Sequence, residues 1–225
     1  MTGPRIALIH ALRESQIPAW NAFANGWPEA KIFNLLDDSL PLDLNAEGEL
    51  TQGITERFLT LGDYAANAAR TRQEKTQAIL FTCSAFGPAL DAVKRSQSIP
   101  VLRPNEAAFE AALESGHRIA LMTTFPGSLP PLVGEINTMA QERNLAPKIT
   151  TIVAEGALQA LQSGNADEHD RIAARTAATL TDIDVLVLCQ FSLARAAKVI
   201  EPVAGRVVIT TPDSAVAKLK RLLTK

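Results

Sequence analysis

The stretch Ala78-Ile-Leu-Phe-Thr-Cys-Ser-Ala-Phe-Gly87 runs from a short apolar segment into a cysteine and a turn. It has a counterpart in Asp184-Val-Leu-Val-Leu-Cys-Gln-Phe-Ser-Leu193. An unbroken apolar run of this length reads as a strand buried on both faces, the kind found in parallel sheets. In each stretch an amphipathic helical pattern begins just after the cysteine. The chain has two cysteines, Cys83 and Cys189, and both stand where strand gives way to loop. Ligands of open α/β sheets bind outside the carboxyl ends of the strands. Two thiols at matching points of two half-chains therefore predict one site with a sulfur on either side.

Working outward, Arg5-Ile-Ala-Leu-Ile-His10 reads as a first strand and returns almost letter for letter as Arg118-Ile-Ala-Leu-Met-Thr123. Between them the pattern predicts a helix carrying Trp20, Phe23 and Trp27, a strand over Lys31–Leu36 and a loop at Asp37-Asp38-Ser39. A long helix follows from about Glu49, with Ile54, Phe58, Leu61, Ala65 and Ala68 on one face. After Cys83, Pro88 suits the first turn of a helix, Ile99–Leu102 is a short fourth strand, and an alanine-rich helix reaches Ser115, ended by Gly116. The second half repeats the alternation. A turn at Pro126-Gly127 leads to a helix ending near Arg143, then come strands over Lys148–Val153, Asp184–Cys189 and Arg206–Thr210. Helices lie between these strands, and Pro212 opens a closing helix faced by Val216, Leu219 and Leu223. The expectation is an α/β protein of two similar parallel-sheet domains related by a pseudo-twofold, with the site in the cleft between them. The first domain spans 1–103 and the second 104–211, and the closing helix over 212–225 is a candidate to dock back onto the first.

Composition narrows the function. At 225 residues, 47% hydrophobic and 20% charged with a net charge of −2, the chain has ordinary globular usage and no basic stripe for nucleic acid. Ile6–Ile9 is too short for a secretion signal's apolar region, and no run approaches the roughly 20 residues that span a bilayer. The expectation is a cytoplasmic protein with a small-molecule partner, no nucleic-acid or membrane partner, and a composition compatible with a homo-oligomer. Free thiols are the default in such a setting. No Cys-x-x-Cys occurs and the three histidines are far apart, so no structural zinc is expected. Taken singly, each cysteine reads equally well as a small packed hydrophobe. Their matching positions favour chemistry.

A thiolate acts as base, and a helix N-terminus lowers its pKa from about 8.5. The same backbone N–H groups can hold a carboxylate and a developing enolate. Two sulfurs on opposite faces of one carbon suit stereoinversion, one removing the α-proton and the other delivering a proton from the far side. That scheme needs no metal or organic cofactor.

At these residues the chain resembles the aspartate/glutamate/hydantoin racemase superfamily, across essentially its whole length. The resemblance rests on Phe81-Thr-Cys-Ser-Ala-Phe-Gly87 and Leu188-Cys-Gln190, with Pro104-Asn-Glu-Ala107 and Thr124 in support. It implies two similar α/β domains with Cys83 and Cys189 as paired acid and base. Amino-acid racemases of this kind usually carry Cys-Asn-Thr at the first motif, and the glutamate enzymes Cys-Thr-His at the second. Here stand Cys83-Ser84-Ala85 and Cys189-Gln190-Phe191. Ser84 and Gln190 can still hydrogen-bond, whereas Ala85 and Phe191 fill binding positions without polar side chains. That moves the expected substrate from glutamate and aspartate toward another amino acid, a hydantoin or a related small acid. Phe86, Phe125 and Phe191 fit either an apolar pocket or the core.

His10, at the end of the first strand, could orient substrate or tune a thiol, or be a hydrogen-bonded structural histidine. Asn105 and Glu106 are candidate substrate contacts, although Asn105 could equally cap its helix. Thr124 could donate to a carboxylate or cap the segment that follows. His117 and His169 are expected to face solvent. Ser192 lacks the context of a nucleophile elbow, and no Gly-x-Gly-x-x-Gly or phosphate loop occurs. The alternatives are an arylmalonate decarboxylase-like or maleate isomerase-like enzyme, or a silent ligand-binding paralogue whose thiols only pack.

Overall fold

In the computed structural model, which describes residues 3–69 and 74–224, strands and helices alternate. The first half runs β1 (Arg5–His10), α1 (Gln16–Gly26), β2 (Lys31–Leu36), α2 (Leu40–Glu47), α3 (Gln52–Asn67), β3 (Thr76–Phe81), α4 (Gly87–Ser96), β4 (Val101–Leu102) and α5 (Glu106–Ser115). The second runs β5 (Arg118–Thr123), α6 (Leu129–Glu142), β6 (Lys148–Val153), α7 (Ala157–Gln162), α8 (Ala166–Ala178), β7 (Val185–Leu188), α9 (Ala197–Ala204), β8 (Val207–Thr210) and α10 (Thr211–Leu223). Lys225, inside the expected closing helix, lies outside the described residues. The strands form two parallel sheets ordered β2-β1-β3-β4 and β6-β5-β7-β8. This is the expected α/β architecture.

Local signals explain most boundaries. The Thr51 side chain accepts from Ile54 N at 3.3 Å and starts α3, whose Ile54, Phe58 and Ala65 are buried. Asn165 accepts from Glu168 N at 3.2 Å and starts α8. The Thr210 side chain caps α10, with Pro212 in its first turn. Helix α2 was not expected. Of its residues only Leu40 is buried, and Leu42 is exposed, so it carries no apolar stripe to read. Gly116 follows α5 in extended rather than left-handed conformation. Its missing side chain serves a close approach instead, since a Cβ there would lie 2.7 Å from that of Asp184.

The helices that follow the fourth strands cross over. Ala108, Phe109, Ala112 and Leu113 of α5 pack with Ile119 and Leu121 of β5 and Val185 and Val187 of β7. Reciprocally, Ala215, Val216 and Leu219 of α10 pack with Ile6 and Leu8 of β1 and Ala78 and Leu80 of β3. Each sheet thus takes one covering helix from the chain that follows the other sheet. The remaining faces are covered by α3 and α4 in the first half and by α8 and α9 in the second. Glu106, buried at the start of α5, joins these pieces. Its carboxylate accepts from Lys94 of α4 at 2.7 Å and Lys218 of α10 at 2.9 Å, and Lys218 also reaches Glu110 at 2.8 Å.

Candidate active site

The strand register fixes where each thiol points. Ile9 lies opposite Phe81, and Met122, its counterpart in the repeated first strand, lies opposite Leu188. One residue on, Thr82 N donates to Ile9 O at 3.1 Å and Cys189 N donates to Met122 O at 2.9 Å. Cys189 is therefore the counterpart of Thr82, and Cys83 that of Gln190. The sequence reading put the two cysteines at equivalent points, but they are one residue out of step. Aligning the motifs on sulfur ignored the strands they pair with. Successive strand residues face opposite ways, and the packing follows. Cys83 continues Ile79 and Phe81 against the α3–α4 layer. Cys189 continues Val185 and Val187 into the α5–α6 layer.

Those two layers meet. The turn at Ser84–Phe86 touches the turn at Pro126–Ser128 and helix α6. Across the same border Arg103 Nη1 donates to both Asp91 oxygens, on α4, at 3.1 and 3.2 Å. Its Nη2 lies 2.9 Å from Glu135 Oε1, on α6.

The thiols differ in state. Cys83 is half-buried and Cys189 only 1% exposed. Burial pushes the Cys83 thiol up to about 11, against which the Ala85 N–H bond pulls down. Burial raises Cys189 further, helped by the nearby Glu135 carboxylate and opposed by a backbone bond from Met122, and its Sγ donates to Val187 O at 3.5 Å. The expected lowering at a helix N-terminus is overturned. Short 3-10 turns, Ser84–Phe86 and Ser192–Ala196, stand between each cysteine and its helix, and desolvation dominates.

The other expected residues fall into distinct roles. His10 is buried, with Nδ1 2.8 Å from Thr82 Oγ1 and Nε2 2.9 Å from Asn34 Oδ1. That oxygen also accepts from Trp20 Nε1 at 3.0 Å, so Nε2 carries the histidine proton and the Thr82 hydroxyl donates to Nδ1. Burial lowers the pKa of His10, opposed by the bond to Asn34. It is a neutral, fully held histidine on the sheet face opposite Cys83. Gln190 Oε1 accepts from both Thr124 N and Thr124 Oγ1 at 2.7 Å, which fixes this carboxamide at the position matching Cys83. Ser84 is half-buried and Ala85 packs on the α3–α4 core.

Asn105 is 0% exposed, does not cap α5 with its side chain, and has neither Oδ1 nor Nδ2 hydrogen-bonded among the described residues. An orphaned buried polar group costs about 1–3 kcal/mol, so this amide is the expected contact with hydrogen-bonding capacity left to use. Glu106 has both oxygens on lysines and serves the helix junction.

Phe86 and Phe191 are core residues. Phe86 stacks 4.8 Å from Phe58, and Phe191 reaches into the first-half core beside Ile6 and Leu8. Phe125 is exposed. His117 faces solvent as expected, but His169 is buried, its Nδ1 2.7 Å from Asp170, which Arg195 also holds at 2.8 Å. The sequence reading passed over Arg103 and Glu135. Arg103 adjoins a quoted motif, and Glu135 interrupts the apolar series Leu132, Ile136 and Met139 on α6, which was the available signal. A groove of about 1040 Å³ lies between α1, α9 and the start of α10, and neither cysteine lines it.

The sequence profile described as Asp/Glu/Hydantoin racemase matches residues 51–219. The chain belongs to the Asp/Glu/hydantoin racemase family. Among solved structures it is similar to an aspartate racemase homologue from Pyrococcus horikoshii, at 16% identity and TM-score 0.72, covering 100% of both chains. An allantoin racemase from Pseudomonas fluorescens is 16% identical with TM-score 0.71, covering 98% of this chain and 91% of the other. A glutamate racemase from Bacillus anthracis is 14% identical with TM-score 0.71, covering 100% and 83%. At these identities the likeness establishes the racemase fold. No curated protein sequence matches the chain. Among the described residues of this family member, no helix is long and apolar enough to cross a membrane, and no group of three or more metal-binding side chains occurs.

Proposed function

We propose that this racemase-family protein inverts a carbon next to a carboxylate or carbonyl of a small acid or hydantoin-like compound, without a cofactor, using Cys83 and Cys189 as its proton-transfer pair. The observation supporting this is that the two thiols lie on the two helix layers that meet along Ser84–Phe86, Pro126–Ser128 and Arg103. At neutral pH both sulfurs are protonated. Cys83, the more exposed and the less strongly shifted, forms its thiolate more readily and serves as base, and Cys189, held protonated by burial and by Glu135, carries the proton to be delivered. The reactive form is the small fraction in which Cys83 has given its proton to solvent: the α-proton passes to that thiolate while Cys189 delivers its own proton to the opposite face. The electron pair released from the C–H bond rests meanwhile on the carbonyl or carboxylate as an enolate.

One observation favours a second reading. Cys189 is almost fully enclosed and its Sγ is turned toward Val187 O, which suits one-base chemistry at Cys83, as in a decarboxylase-like enzyme. Chiral acids and hydantoins incubated in deuterated water, followed by proton NMR and chiral separation, decide between them. Cys189→Ala should still exchange one enantiomer but invert neither, and Cys83→Ala should lose that exchange by about 10²-fold or more. Parental racemisation by Cys189→Ala would reduce the mechanism to a single thiol. Exchange by no form across the panel would leave a binding protein.

A further inference from the structure

Arg103 bridges α4 and α6, one helix from each of the layers that hold the two thiols, and half of its fork is poorly used. A guanidinium offers five N–H donors in a plane that matches carboxylates two bonds at a time. Nη1 is spent on Asp91. Nη2 faces Glu135 Oε1 at 2.9 Å, yet off the hydrogen-bonding direction, so that Oε1 is buried without a hydrogen-bond partner among the described residues. The side chains are 19% and 11% exposed, so the pair is largely shielded from bulk water. Glu135 also sits among mixed charges. Arg103 and Lys94 favour its anion, Asp91 and Glu106 oppose it, and burial outweighs them, pushing its carboxyl up to about 7. A desolvated, misaligned carboxylate is a weak occupant of a guanidinium. Meanwhile Ala85 and Phe191 supply no side-chain donor beside either cysteine.

We infer that Arg103 anchors the carboxylate of an anionic substrate, and that Glu135 is an internal stand-in which that carboxylate displaces while Asp91 stays in place. This rests on the reading that the ligand is a small acid, and it adds the residue that recognises the acid group.

Phenylacetate, an anion throughout the pH range used, and its neutral isostere phenylacetamide are suitable probes, titrated calorimetrically into the full-length protein. The parent should bind phenylacetate more tightly at about pH 6, where Glu135 is neutral, than at about pH 8, where it competes as an anion. Glu135→Gln should bind about tenfold more tightly than the parent at the higher pH and lose the pH dependence, a change of one decade in Kd. Arg103→Met should weaken binding about tenfold or more, and phenylacetamide should be indifferent to all three forms. Parental affinity in Arg103→Met, or a Glu135→Gln affinity no better than the parent's at the higher pH, overturns the inference. So does an absence of phenylacetate binding by both parent and Glu135→Gln. If Arg103→Met does not fold, the Glu135→Gln comparison decides. Binding is read without turnover, so Arg103-dependent binding with no isotope exchange sinks the racemase reading alone, and exchange with Arg103-independent binding sinks the anchor alone.

Discussion

The two halves share a strand order and a repeated first strand, yet they present their thiols differently. In the first, the sulfur stands two residues past β3, half-buried against the α3–α4 layer. In the second, the sulfur stands directly after β7, enclosed by α5 and α6 with a carboxylate nearby. The place matching Cys83 holds Gln190, and the place matching Cys189 holds Thr82. A duplicated scaffold need not produce a duplicated site. Here a one-residue offset turns two similar motifs into one half-buried sulfur and one enclosed sulfur.

The comparison is open to attack at its strongest point first. A Cys83 thiol raised to about 11 is protonated below that pH, so its base form grows as pH rises toward it. Exchange of the enantiomer facing Cys83 should therefore climb about tenfold per pH unit through the mildly alkaline range. The opposite enantiomer, which needs the still less acidic Cys189, should exchange more slowly throughout. Equal rates and equal pH profiles for both enantiomers would erase the distinction between the thiols.

Next comes the exchange of helices. Phe109 of α5 and Leu219 of α10 are fully buried against the sheet of the other half. Phe109→Ala should cost about 3–5 kcal/mol and Leu219→Ala about 2–5 kcal/mol of stability, measured by urea unfolding. Both should act on one cooperative transition. Two separate transitions, each moved by one variant, would show halves that unfold independently.

The smallest effect concerns Gln190. Thr124→Val removes one of two hydrogen bonds to its carboxamide and should cost about 1 kcal/mol of stability. If Gln190 orients the ligand of the proposed reaction, Thr124→Val should raise KM more than it lowers kcat. Matched losses in kcat alone would place this pair in the chemistry.

Much of the fold was legible because the strands are short runs rich in apolar and β-branched residues. Arg5–His10, Lys31–Leu36, Arg118–Thr123 and Lys148–Val153 match the observed strands end to end. Helix α2 escaped because Leu42 points to solvent where a stripe would need it inside. Within the candidate site, the cysteines and the Thr124–Gln190 pair stood in readable motifs. The offset between the thiols did not, because register is a property of two strands and a motif contains one. Glu106 read as a candidate substrate contact and His10 as either a substrate-orienting or a structural histidine, while their lysine, threonine and asparagine partners come from distant positions. Arg103 and Glu135, an arginine and a carboxylate well apart in sequence, become informative only once α4, α5 and α6 adjoin.

The crossing of α5 and α10 also bears on how the protein is made. On a ribosome the first sheet emerges early, but the helix that shields Ile6, Leu8, Ala78 and Leu80 is translated only after the whole second sheet. Until then that face has α1 over part of it, through Ala19, Ala22 and Phe23, and the rest stays open to chaperones and to sticky neighbours, a hazard of chains that fold as they are synthesised. The second sheet meets no such delay, since α5 is already waiting when β5 appears. The halves mature in an order opposite to their place in the chain, and the first is finished by the last helix.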